Sequence, residues 1–167
     1  HLASGRYILD HKIIPHVDFL SCSVSGQPWI NHEWRFQVGS ASIYHYFGTD
    51  GLIVTQGIVV GLILIFLTIL SYTREANIFL AFVLFFVFRV FEARMFLRPD
   101  MVSLLFYLIF LFVLFKGIKD KQTPWLLFIL QIVWTNTHGF FILGPVTIAI
   151  VFLGEWLKRH SKILYFQ

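Results

Sequence analysis

The sequence predicts an all-α, polytopic membrane protein of about five transmembrane helices, carried behind an N-terminal headpiece of loops and one interfacial helix. Three observations predict it. Hydrophobic residues make up 57% of the chain and aromatic residues 19%, while charged residues reach only 13%, against about 25% in soluble domains. The apolar residues fall in long runs rather than the short alternating stretches of half-buried strands. Lys and Arg gather at the ends of those runs, and no basic stripe with interleaved aromatics lies outside them, which argues against a nucleic-acid partner. One cysteine, Cys22, precludes an internal disulfide.

Residues 1–48 form the headpiece. Gly5, Pro15, the stretch SCSVSG at 21–26 and Pro28 mark loops and turns. From Trp29 to Phe47 the residues suit a helix lying at the membrane interface. Trp29, Trp34, Phe36, Tyr44, Tyr46 and Phe47 are of the types that anchor at headgroup depth, and Asn31 is a candidate cap for its start. Residues 49–160 then carry the transmembrane bundle. Its apolar runs cover 52–72, 78–88, 101–115, 124–141 and 142–157; the first matches the roughly twenty residues needed to cross about 30 Å of hydrocarbon. Residues 161–167 are set apart as a tail, because Leu164-Tyr165-Phe166-Gln167 matches the end of a protease-site tag. The chain opens at His1 in a polar region without a charged-then-apolar leader, so a span ahead of it is expected to be missing.

Orientation follows from charge. Five spans put the turns at 73–77 and 116–123 on the same side as the C-terminal tail. That side holds Arg74, Lys116, Lys119, Lys121, Lys158, Arg159 and Lys162, and short loops rich in Lys and Arg stay cytoplasmic. The headpiece, the turn at 94–100 and the turn at 135–139 then face the extracytoplasmic side.

The residues able to do chemistry fall on that face. His32 and Glu33 sit between Trp29 and Trp34; Glu33 is a candidate base, metal ligand or helix-N-terminal charge. In DHKIIPHVD (10–18), Asp10, His11, His16 and Asp18 offer divalent-cation ligands, although Pro15 breaks helical spacing and no zinc pattern is present. Asp18 stands between Val17 and Phe19, where partial burial would raise its pKa toward that of a useful base. Arg89 and Glu92 are spaced to pair. Arg94 and Arg98 lie one helical turn apart, a clamp suited to phosphate oxygens, with Pro99 ending the helix. WTNTHG (134–139) interrupts an apolar hairpin after a short span, and polar backbone at such depth must line a cavity or be buried in protein. Asn136 and His138 are therefore candidates to line one.

Four stretches in order carry a resemblance: GRYILDHKIIPHVDFLS (5–21), GQPWINHEWRFQ (26–37), RPDMVS (98–103) and WTNTHGFFILG (134–144). Together they resemble the N-terminal portion of bacterial membrane glycosyltransferases of the GT-C class, with Arg35 standing where that pattern has Leu. The resemblance implies an inner-membrane enzyme that transfers a sugar from a polyprenyl-phosphate donor on the extracytoplasmic side. By position, Asp18 would be the general base, with His32 and Glu33 as further catalytic groups. Arg94 and Arg98 would face the lipid phosphate, and Asn136, His138, Trp29 and Trp34 would line the substrate cavity. A divalent cation is a candidate cofactor. The competing expectation is a catalytically inactive membrane subunit or scaffold of a larger complex. A transporter is a weaker third, since the first and third spans lack ionisable groups.

Overall fold

The computed structural model describes residues 1–71, 83–85, 89, 97–115 and 122–164, with backbone alone at 159 and 161–164. The expected span at 78–88 falls largely outside them, as do Glu92 and Arg94. The elements among the described residues are helices, with α1 at Leu2–His11, α2 at Trp34–Ser71, α3 at Pro99–Phe115, α4 at Thr123–Thr135 and α5 at Leu143–Leu164, the last preceded by a 3-10 turn at Gly139–Ile142. No strand occurs among them, only an isolated bridge between Val17 and Pro28. Two segments are long and apolar enough to cross a membrane, Trp34–Ser71 and Gly139–Lys158. The helices α3 and α4 are apolar but shorter.

The headpiece contains a helix where loops were expected. Gly5 lies inside α1 because α1 crosses α2 so closely that a Cβ at this position would stand 1.9 Å from the Gln37 carbonyl oxygen. Ser4, Gly5 and Ile8 form the buried face of α1, against Phe36, Gln37 and Ala41 of α2. The helix expected from Trp29 begins at Trp34, and Asn31 does not cap it. Instead Asn31 and Gln37, both buried, exchange amide hydrogen bonds of 2.7 and 2.9 Å, which satisfies polar groups that would otherwise be costly to bury.

The helix continues past residue 47 as one unit with a kink. Gly48 has φ 63 and ψ −155, a region that only glycine enters without strain. Beyond it, residues 49–71 extend roughly 34 Å at 1.5 Å per residue, enough to cross a bilayer core. Inside that stretch Thr55 and Thr68 donate to the carbonyls of Gly51 and Leu64, so their hydroxyls are satisfied without water. The core lies where α2 meets α3, with Val59, Val60 and Ile63 against Met101, Leu105 and Leu108. A second cluster joins Phe110 of α3 to Leu127 and Trp134 of α4. The outer faces of α4 and α5 expose large apolar side chains, among them Trp125, Phe128, Ile150 and Phe152.

Candidate functional site

The turn after α4 organises the polar end of the helices. Trp134 is fully buried, and its indole N–H donates to Ser103 of α3, also buried. The amides of Thr137 and His138 turn back to the Trp134 carbonyl at 2.9 and 3.2 Å, which sends the chain into the 3-10 turn. Asn136 is gripped from α2. The Trp34 indole N–H donates to its side-chain oxygen at 2.9 Å, and the Arg35 amide donates to its carbonyl at 3.1 Å. The Arg35 guanidinium lies 5.2 Å from the centre of a Trp34 ring, a cation–π contact that steadies this grip.

That grip sets Glu33 beside His138. One carboxylate oxygen of Glu33 lies 3.6 Å from His138 Nε2 and 3.9 Å from His32 Nε2, and the other lies 3.6 Å from His1 Nδ1. Glu33 and His138 are mostly buried, with side chains 20% and 16% exposed, whereas His32 is 51% exposed. His138 Nδ1 is buried without a hydrogen-bond partner, and its ring meets Phe140 edge-on at 4.6 Å. A cavity of about 580 Å³ opens here, lined by His1, Arg98, Asp100, His138 and Phe140. It shares His1 and Leu97 with a second, largely apolar cavity of about 280 Å³, bordered by Phe36, Leu52 and Ile53.

Of the residues expected to act together, His32, Glu33, Trp34, Asn136 and His138 converge, and Arg98 borders the same cavity. Arg94 lies outside the described residues, so the expected arginine clamp is represented by Arg98 alone. Asp18 and Trp29 instead make their hydrogen bonds within a hairpin of residues 16–29. The Trp29 amide donates to the His16 carbonyl at 2.8 Å, and the Asp18 amide to the Gln27 carbonyl at 2.9 Å. The Asp18 carboxylate accepts from the Leu20 amide at 2.8 Å, the Ser21 amide at 2.9 Å and the Ser21 hydroxyl at 2.6 Å.

This corrects the expectation that burial raises the Asp18 pKa. The Ser21 hydroxyl, then the amides of Ser21 and Leu20, hold it below its ordinary value, because donors aimed at the charged form favour that form. A carboxylate so engaged makes a weak base.

Asp10 and His11 of the expected ligand set sit on α1, apart along the chain from His16 and Asp18 on the hairpin, and His11 stacks on Tyr7 at 4.2 Å. Among the described residues no group of three or more His, Cys, Asp or Glu side chains could hold a metal ion. Sequence reasoning passed over His1 and Asp100. Asp100 carried a usable signal, an acid directly after proline in the first turn of an apolar helix; His1 carried none, since only the crossing of α1 over α2 brings it to Glu33. Comparison with family models, curated proteins and solved structures gave no match.

Proposed function

We propose that the chain belongs to a five-span, bacterial inner-membrane sugar transferase, with its headpiece outside the cytoplasm and a polyprenyl-phosphate-linked sugar as donor. Membrane placement is supported by the two long apolar helices and by large apolar side chains exposed along α4 and α5, a surface that water would not tolerate as one patch. The observation that carries the chemistry is the pairing of Glu33 with His138 beside the cavity that Arg98 borders. A pocket bordered by the Arg98 guanidinium and joined to an apolar cavity suits an amphipathic phosphate, with the head at Arg98 and the first apolar units along Phe36 and Leu52.

In this reading Glu33, rather than Asp18, is the base. The acceptor hydroxyl attacks the anomeric carbon and gives its proton to the Glu33 carboxylate. The bond from that carbon to the phosphate oxygen breaks, and polyprenyl phosphate leaves with the electron pair. Arg98 faces the negative charge that grows on the leaving phosphate, an interaction strongest in the transition state. His138 stands beside the Glu33 carboxylate, its Nε2 3.6 Å away.

The test is sugar transfer in membranes carrying the full-length protein, with a radiolabelled polyprenyl-phosphate sugar. Glu33→Gln keeps the shape of the side chain and should lower turnover by about 10²–10⁴, the usual worth of a general base. Full turnover in that variant, with loss in Asp18→Asn, would return the role to Asp18. A second reading, a membrane subunit or scaffold without chemistry, is favoured by the complete engagement of Asp18 in its own hairpin. It expects no transfer by the wild type and co-purification with a larger complex.

A further inference from the structure

We propose that the groove between α1 and the first part of α2 binds the headgroup of an anionic phospholipid. The inference rests on the membrane placement proposed above, but not on the transfer chemistry. The groove encloses about 660 Å³ and is lined by Arg6, Asp10 and Lys12 on one side and by Tyr44, His45 and Tyr46 on the other. It is separate from the Glu33 cavity, with which it shares no lining residue.

Three observations point to the ligand. Two permanent cations face one carboxylate, and the Arg6–Asp10 ion pair is long, at 4.0 Å, and exposed, with side chains 85% and 63% accessible, a weak pair that an anion can displace. Lys12 is also the one non-glycine residue with positive φ among the described residues, at φ 57 and ψ 26. It ends α1 where glycine is the usual choice, and a side chain there costs roughly 1–2 kcal/mol. What the helix gains over glycine is an ammonium group on the lip of the groove. Finally, the groove lies next to the Gly48 kink, where the apolar part of α2 begins. Tyr46 and Phe47 there are 76% and 70% exposed, as befits aromatic residues at headgroup depth.

A phosphodiester fits this lining. The planar Arg6 fork can meet two phosphate oxygens and Lys12 supplies a point charge. Tyr44 and Tyr46 bring to the lining phenols able to hydrogen-bond glycerol hydroxyls. A zwitterionic headgroup would bring its own cation against Arg6 and Lys12, so selectivity for the anionic lipid follows.

Native mass spectrometry of the full chain, released from detergent micelles doped with phosphatidylcholine and phosphatidylglycerol at three to one, tests the proposal. The wild type should retain phosphatidylglycerol in preference to phosphatidylcholine. The double variant Arg6→Gln/Lys12→Gln should retain it roughly tenfold less or weaker still, the scale expected for two basic side chains at an anionic surface. Lys12→Gly guards against a folding artefact. It relieves the left-handed strain, so it should melt no lower than the wild type and still lose phosphatidylglycerol. Equal retention of the two lipids by the wild type, or wild-type retention by both variants, overturns the groove and leaves membrane placement standing. Retention of neither lipid overturns both.

Discussion

Replacing Gly5 with alanine sets two physical effects against each other. In a helix interior alanine is favoured over glycine by about 0.8–1 kcal/mol, so propensity alone predicts a more stable protein. The structure predicts the opposite. The new Cβ would stand 1.9 Å from the Gln37 carbonyl oxygen, 2.5 Å from its carbon and 2.7 Å from the Ala41 Cβ. These atoms cannot give way easily, since the Gln37 amide is bonded to the Glu33 carbonyl at 3.0 Å and its side chain is held by Asn31. Ordinary contact requires α1 to withdraw by about 1.5 Å, opening the buried face at Ser4 and Ile8. Overpacking of this kind costs about 1–3 kcal/mol, and a backbone obstacle places it toward the upper end. The net expectation is a loss of about 1–2 kcal/mol, or a Tm lower by roughly 2–8 °C for a chain of this size. Gly39→Ala is the matched control. It is also helical, but nothing lies within 4 Å of its would-be Cβ, so it should gain about 0.5–1 kcal/mol. Parallel thermal melts in one detergent decide the matter. A Gly5→Ala protein that melts as high as Gly39→Ala would refute the close crossing of α1 over α2.

Other positions test the rest of the fold. Ser103→Ala leaves the Trp134 indole N–H without an acceptor in a fully buried place and should cost about 1–3 kcal/mol, read as a lower Tm; an unchanged melt would contradict that bond. Gly48→Ala forces a side chain into a conformation at φ 63 and ψ −155 and should cost about 1–3 kcal/mol or straighten the kink, which spin labels on either side of residue 48 would report. The Asp18 pKa is depressed in the folded hairpin, so its contribution is present above the unfolded value and is lost as pH falls through the folded one. Amide exchange at Leu20 and Ser21 should therefore quicken on acidification below about pH 4, after correction for intrinsic rates, and Asp18→Ala should show the quicker exchange already at neutral pH.

Much of this architecture is local and was legible in the residues. The long apolar run that starts at residue 52, as far as Ser71, and the run at 142–157 lie within helical segments long enough to cross a membrane, because composition and run length act through solvent preference and need no partner. The pairing of motifs was not legible. Glu33 and His138 meet because Trp34 and Arg35 both bond Asn136, while Ser103 and Trp134 fix α3 against α4. Each of those contacts joins segments distant in the chain. The stretches 26–37, 98–103 and 134–144 thus hold one another. Gly5 was misread as a loop marker for the same reason: absence of a side chain serves a turn and a close helix crossing equally well, and only the neighbour tells them apart.

By itself the sequence determined that this chain is helical and apolar, with polar residues set between its runs, since those properties follow from each segment's own periodicity and hydration. The tertiary structure decided which acid stands where. It engaged Asp18 with three donors in its own hairpin and placed Glu33 among His1, His32 and His138. A carboxylate's chemistry is set by the donors and charges within a few ångströms of it, and those neighbours come from the packing of helices, not from the order of residues along one of them.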